Sequence, residues 1–126
     1  MLKHRVAIIE DDLAISGMYE LKLGLCGYDV KVAHNGELGL KLIESFKPEV
    51  ILLDLMMPVM NGLEVLKILK ERPELTKDAK VMVLSNMGDS ETVAKIRGFE
   101  VADRIIKADL TPAQVADRVE SLLKSN

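Results

Sequence analysis

Short apolar runs alternate along this chain with longer segments in which apolar residues recur every three or four positions. The runs at residues 6–9, 50–53 and 81–84 are unbroken and end at polar or turn residues. Such runs predict strands that are buried on both faces. Residues 29–33 alternate between polar and apolar, which predicts a strand with one exposed face, and residues 104–107 predict a brief last strand.

Each predicted strand is followed by a segment with helical periodicity. Three of these helices have capping residues at their starts, namely Asn35, Asn61 with Glu64, and Thr111 with Pro112 and Gln114. A short helix can start at Asp89 or Ser90. The stripes predicted to face the core are, in chain order, Ala14, Met18, Leu21 and Leu25, then Leu38, Leu42, Ile43 and Phe46, then Val65, Leu66 and Leu69, then Val93, Ala94 and Ile96, and finally Val115, Val119, Leu122 and Leu123.

Five strand–helix units in succession predict an α/β fold, in which a doubly wound parallel sheet carries helices on both faces. The length of 126 residues suits one core. Because no linker or low-complexity stretch interrupts residues 1–126, we expect a single domain with no output domain after it.

Composition narrows the class of partner. With 3% aromatic residues and a net charge of −3, the chain has neither the stacking residues nor the basic stripe of a nucleic-acid surface. The single cysteine, Cys26, indicates a reducing compartment, so we expect a cytoplasmic protein. No targeting segment or membrane-spanning run is visible, and no membrane partner is expected.

The residues with chemical potential follow the predicted strands. Glu10 and Asp11 follow the first strand, Asp54 the third, Ser85 the fourth, and Lys107 the fifth. Parallel strands end at one edge of a sheet, so these side chains should converge where open α/β sheets bind ligands. Two carboxylates ~4 Å apart repel by about 4 kcal/mol at an effective dielectric near 20, so three of them require protons or a cation.

Hard oxygen ligands of this kind suit Mg²⁺ or Mn²⁺. We expect Asp11 and Asp54 to bind the metal directly, Glu10 to act through water, and the backbone carbonyl of Met56 to add a ligand. Asp54 is then the expected nucleophile toward phosphorus, giving an aspartyl phosphate. The metal, the Lys107 ammonium and a hydroxyl at Ser85 would share the charge of the transferred group.

Other interpretations of these residues stay open. Acids after a strand also favour the start of a helix, and a lone Asp at a strand end is often only a loop cap. A flavin-binding loop would need hydroxyls and glycines in place of the three acids. An aspartyl phosphatase would commonly carry a second Asp where Met56 stands. His4 and His34 are expected to lie far from the strand ends.

The combined motifs resemble the receiver domain of bacterial two-component response regulators over nearly the whole chain. They are residues 8–12 (Ile-Ile-Glu-Asp-Asp), 48–58 (Pro-Glu-Val-Ile-Leu-Leu-Asp-Leu-Met-Met-Pro), 60–62 (Met-Asn-Gly), 83–85 (Val-Leu-Ser) and 105–107 (Ile-Ile-Lys). The resemblance implies a five-stranded parallel sheet of order 2-1-3-4-5 with five helices, a flavodoxin-like receiver fold.

The resemblance also implies a function. A sensor histidine kinase or phosphotransfer protein would phosphorylate Asp54, with the metal at Glu10, Asp11 and Asp54 and the phosphoryl group contacted by Ser85 and Lys107. The domain would be no enzyme beyond its own phosphotransfer and dephosphorylation. It would signal to a downstream protein through the surface of helix 4, strand 5 and helix 5. The resemblance is also compatible with a homodimer that forms on phosphorylation.

Two positions depart from the family pattern. Arg104 stands where the family has a switch aromatic, and Ala108 follows Lys107 where the family usually has a cis proline. A non-proline cis bond costs roughly 3–4 kcal/mol, so we expect a trans bond or visible strain there. The alternative function is therefore an interaction module that works without phosphorylation. We also hypothesise slow self-dephosphorylation, since Met56 and Met87 beside the site cannot orient a water.

Overall fold

Five strands alternate with five α-helices in the computed structural model, which describes residues 2–125. The strands are β1 (Arg5–Ile9), β2 (Asp29–Ala33), β3 (Val50–Asp54), β4 (Lys80–Ser85) and β5 (Asp103–Ile106). The helices are α1 (Leu13–Leu25), α2 (Gly36–Phe46), α3 (Gly62–Glu71), α4 (Asp89–Ile96) and α5 (Pro112–Lys124). The predicted succession is confirmed, with β5 one residue earlier than expected, so that Lys107 lies just beyond the strand.

All strand pairs are parallel and the order is β2-β1-β3-β4-β5, as the family resemblance implied. Leu53 in the central strand pairs with Ile9 on one side and with Val83 on the other. Because the strands are parallel, their carboxyl ends lie along one edge of the sheet. That edge is where the predicted site residues should meet.

The sheet separates two hydrophobic cores, and its central strands supply both of them. Val50 and Leu52 of β3 pack on the side of α1 and α5, whereas Ile51 and Leu53 pack on the side of α2 and α3. All five residues of β3 are buried, as predicted for a strand covered on both faces. Asp54 is therefore the end of the most enclosed strand in the fold.

The caps at Asn35, Asn61 and Thr111 are confirmed. Asn61 with Glu64 and Thr111 with Gln114 form complete capping boxes. In each box, the side chain of one residue accepts the backbone N–H of the other. The stripes predicted for α3 and α5 also face the core. In these helices periodicity and capping point to the same face.

The stripe predicted for α1 is wrong. Ala14, Met18, Leu21 and Leu25 are exposed, and the buried residues of α1 are Ser16, Tyr19 and Leu23. Nearly every residue of this helix is small or apolar, so two stripes have helical spacing and the pattern cannot choose between them. Packing against the core beneath α1 and α5 selects the stripe that carries the aromatic ring.

Two other helices match their predicted stripes only partly. In α2 the fully buried member is Ile43, while Leu38 is 49% exposed near the start of the helix. In α4 the apolar Val93 and Ile96 are half-buried, and the one buried residue of the helix is the polar Thr92. A buried hydroxyl on a short helix requires a hydrogen-bond partner.

Candidate functional site

Four of the strands deliver polar side chains to the carboxyl edge of the sheet. Glu10 follows β1, and its backbone N–H donates to Ala33 at the end of β2 at 3.0 Å. Asp54 ends β3 opposite Leu84, and Ser85 is the next residue along β4. Lys107 follows β5. Sheet topology alone therefore makes neighbours of residues nearly one hundred positions apart.

A buried ion cluster lies at the centre of this edge. The Lys107 Nζ atom is 2.6 Å from Glu10 Oε1 and 3.2 Å from Asp54 Oδ1. The side chains of Lys107, Glu10 and Asp54 are 7%, 0% and 2% exposed. Burying such charges is costly unless they are paired, and the one ammonium here balances two carboxylates.

The enclosure changes the protonation of this cluster. Burial, reinforced by the neighbouring Asp54, raises the pKa of Glu10 to about 8 against the lowering effect of Lys107. Burial lowers the pKa of Lys107, but the hydrogen bond from Lys107 to Glu10 and the charges of both carboxylates outweigh it and raise that pKa. Lys107 therefore stays cationic, and the surplus negative charge is relieved by a proton on Glu10.

The carboxylates also fit a divalent cation. Glu10, Asp11 and Asp54 each bring one oxygen to within 4.8 Å of the others. Glu10 Oε2 is buried and has no hydrogen-bond partner, so this oxygen needs either a proton or a cation. Three carboxylate oxygens around an unsatisfied buried acceptor are the donor set that Mg²⁺ or Mn²⁺ accepts.

The loop after β3 holds Asp54 tightly. The backbone N–H of Met56 donates to Asp54 Oδ1 at 3.2 Å, and the Met56 side chain is 60% exposed beside the site. Gly62 packs against the Asp54 backbone carbonyl so closely that a Cβ atom would collide with it. Val59, in the same loop, has a φ of 68°, a conformation that is strained for a β-branched residue.

A buried hydroxyl pair connects the site to α4. Thr92 Oγ1 is 2.8 Å from Ser85 Oγ, which also accepts the backbone N–H of Met87 at 3.0 Å. Ser85 and Thr92 are 1% and 0% exposed. Sequence reasoning missed Thr92. The signal available was a lone polar residue at the position of α4 that faces the sheet.

The two departures from the family pattern have definite structures. Arg104 is exposed and makes a two-point ion pair with Asp89 in the first turn of α4, at 2.8 and 3.2 Å. The residues described contain no cis peptide bond, so the bond before Ala108 is trans, as expected. A second two-point pair joins Arg118 of α5 to Asp103 of β5, at 2.8 and 2.9 Å.

The prediction for His34 is wrong. Its ring Nδ1 lies 3.0 Å from the backbone carbonyl oxygen of Glu10, immediately after β2. His4 is at the opposite edge of the sheet, where Nδ1 is 2.8 Å from Glu49 Oε2. Strand β2 ends beside β1, so the residue that follows it borders the same edge as Glu10.

Three comparisons relate this arrangement to known proteins. A family model described as response regulator receiver domain matches residues 6–120. The transcriptional regulator RpaA of Synechocystis is 36% identical over 121 residues, covering 95% of this chain and 49% of that protein. The phosphate regulon regulator PhoB of Pseudomonas aeruginosa is 33% identical over 125 residues, covering 98% and 53%. The chain thus spans about half the length of these relatives.

A solved structure adds a match in three dimensions. The BeF3-activated receiver domain of DrrB, a Thermotoga maritima protein, superposes with a TM-score of 0.83 at 27% identity. The match covers 98% of this chain and 100% of that one. The likeness therefore extends through every strand that supplies a residue to the site.

Proposed function

Since this chain belongs to the response regulator receiver domain family, we propose that Asp54 accepts a phosphoryl group from a sensor histidine kinase or phosphotransfer protein. One observation carries this proposal. Asp54 ends a wholly buried strand within a cluster where Lys107 and three carboxylates are matched to a phosphoryl group and a metal. This domain would act in signalling by gaining and losing that group.

The environment of Asp54 distinguishes its two carboxylate oxygens. Oδ1 contacts Lys107 and accepts the N–H of Met56, so we assign the attack to Oδ2. A bond forms between Oδ2 and phosphorus as the bond from phosphorus to the donor's imidazole nitrogen breaks, and the leaving imidazole regains a proton from solvent. Lys107 and the hydroxyl of Ser85 stabilise charge on the transferred oxygens.

Glu10, Asp11 and Asp54 would hold Mg²⁺ or Mn²⁺, with the Met56 carbonyl as a further ligand. A bound divalent ion supplies positive charge that offsets the repulsion between an incoming phosphate and these acids. The orphaned Glu10 Oε2 atom supports this assignment. A cation held there would also offset the Glu10 carboxylate, which Lys107 now contacts at 2.6 Å.

The test is phosphorylation by acetyl phosphate with Mg²⁺, followed by intact mass measurement. We expect one added phosphoryl mass, loss of the adduct in Asp54→Asn, and loss on chelation of the metal. Asp29→Asn is the matched control, because Asp29 is exposed and begins β2 at the other edge of the sheet. If the chain forms no adduct with acetyl phosphate and shows no response to beryllofluoride, the phosphorylation-independent interaction module replaces this proposal.

We propose that the exposed apolar face of α1 receives the phosphodonor. This α1 face consists of Ala14, Met18, Leu21 and Leu25, and its three larger side chains are 50%, 67% and 76% exposed. The helix begins directly after Asp11 and Asp12, so the face runs away from the acidic site. A contiguous exposed apolar surface of this kind is typical of a protein contact.

Introducing a charge on the α1 face would distinguish an effect on docking of the phosphodonor from an effect on phosphoryl transfer itself. Leu21→Lys should reduce phosphotransfer from a protein donor and leave labelling by acetyl phosphate unchanged. Leu2→Lys is the control, since Leu2 is 92% exposed and precedes β1. Equal loss with both donors would assign Leu21 to folding instead of docking.

The output surface is proposed to be α4, β5 and α5, acting on a downstream protein or a second copy of the chain. Arg104–Asp89 and Arg118–Asp103 connect these three elements in succession. Both pairs are accessible to a partner that competes for either charge.

Among residues 2–125, none of the helices combines the length and the apolar character that a membrane span requires.

A further inference from the structure

Thr92 holds the only hydrogen bond between α4 and the hydroxyl of Ser85 within the described chain. Its Oγ1 atom is 2.8 Å from Ser85 Oγ and 2.9 Å from the carbonyl oxygen of Gly88, the residue that precedes α4. The threonine hydroxyl has a single proton and can satisfy only one of these acceptors at a time. The two choices have different consequences for Ser85.

In the first arrangement Thr92 donates to Gly88, and Ser85 donates to Thr92. The Ser85 proton is then occupied and unavailable to the site. In the second arrangement Thr92 donates to Ser85 Oγ, which also accepts the N–H of Met87. Both acceptor positions of Ser85 are then filled, so its own O–H is free for a third partner, such as a group carried by Asp54 at the end of the neighbouring strand β3.

We propose that Thr92 is a positioning residue, which turns Ser85 into a hydrogen-bond donor toward the phosphoryl group on Asp54. The inference rests on the proposed function and adds a residue to it. The switch needs no heavy-atom contact to break, because the same oxygen pair is bonded in both arrangements and only the protons reorient.

The same step carries information to α4. When Thr92 turns to Ser85, the Gly88 carbonyl keeps only the backbone N–H of Thr92, at 2.9 Å. Gly88 caps α4 without a side-chain hydrogen bond, and Thr92 is the one buried residue of the helix. On its outer side the first turn is tied to Arg104 through Asp89. The start of α4 therefore connects the hydroxyl of Ser85 to β5 within the proposed output surface.

The test compares Thr92→Val with Thr92→Ser. Valine keeps the shape of the side chain but removes the hydroxyl, whereas serine keeps the hydroxyl. We expect Thr92→Val to slow labelling by acetyl phosphate about 5- to 10-fold, as loss of one buried hydrogen bond predicts. Thr92→Ser should restore most of that rate. Thr76→Val, at the far end of the sheet, is the matched control and should label like the wild type.

A double-mutant cycle separates positioning from general damage. In a Ser85→Ala background, Thr92→Val should have no further effect on labelling. Backbone amide shifts of residues 88–92 on adding Mg²⁺ and beryllofluoride should be large in wild type and small in Thr92→Val. Additive effects of the two substitutions, or slow labelling in both Thr92→Val and Thr92→Ser, would overturn the positioning role. Failure of the wild type to label would instead overturn the proposed function, and this inference with it.

Discussion

Lys107 and Arg104 lie three residues apart at the end of β5, and both contact carboxylates, but they differ in almost every physical respect. Lys107 is 7% exposed and sits between two buried acids. Arg104 is 44% exposed and pairs with Asp89, which is 61% exposed. Charges of equal size therefore belong to a buried cluster in one case and to a solvated pair in the other.

The two environments predict different costs when a charge is removed. In the buried cluster, removing either sign leaves a charge with no water to solvate it. Around Arg104, water and salt replace the partner with little loss. Nothing buried therefore depends on the charge of Arg104.

The largest effect is expected from Lys107→Met, which keeps the length of the side chain and removes its charge. The buried Asp54 carboxylate then lacks its counter-charge, and we expect a loss of roughly 3–5 kcal/mol in the free energy of unfolding. Chemical denaturation measures it.

The control for this variant is Lys95→Met, a change at an exposed residue of α4. It should leave the unfolding free energy within experimental error. A Lys107→Met protein as stable as Lys95→Met at neutral pH would show that the cluster is hydrated and that burial is not what distinguishes it from Arg104.

The proton on Glu10 predicts a pH-dependent metal affinity. The pKa of Glu10 in the folded protein is about 8, so below that pH a metal must displace a proton to use this carboxylate. The affinity for Mg²⁺ should thus fall as the pH falls, by up to about tenfold per unit between about pH 8 and pH 6. Calorimetry in two buffers of different ionisation enthalpy would measure the released proton.

Glu10→Gln sharpens the assignment. The amide keeps the shape of the side chain but has no proton to release, so the pH dependence should flatten and the buffer effect should disappear. A steep pH profile that persists in Glu10→Gln would move the titrating group to another residue of the cluster.

The exposed methionine beside the site should govern how long the phosphoryl group lasts. Met56 is 60% exposed next to Asp54 and has no group that can orient water. We expect Met56→Asn to raise the hydrolysis rate of the aspartyl phosphate about tenfold, since an amide can position the attacking water. Loss of radiolabel over time measures it, with Met18→Asn on α1 as the exposed-methionine control. Rapid hydrolysis in the wild type, unchanged by the substitution, would contradict the hypothesis of a long-lived phosphoryl group.

Sequence reasoning anticipated which groups meet, because parallel topology fixes where strand ends lie. It could not anticipate how they pair. The contact of Lys107 with Glu10 and the hydrogen bond of Thr92 to Ser85 depend on side-chain directions that no periodicity encodes. The orientation of α1 failed for a different reason, since a helix that is apolar on two sides gives two equally good stripes. Tertiary packing made that choice.

The smallest effect on stability is expected from Arg104→Ala, which removes the tether between β5 and α4. Because both partners are exposed, the thermal unfolding midpoint should stay within experimental error of the wild type. The first turn of α4 should nevertheless exchange its backbone amide hydrogens faster, since its outer anchor is lost while Thr92 still holds the inner side. Arg118→Ala is the matched control, because it removes an equivalent pair from α5 and should leave exchange in α4 unchanged. A marked loss of stability in Arg104→Ala would mean that this pair is structurally comparable to Lys107, and the contrast between the two cations would no longer hold.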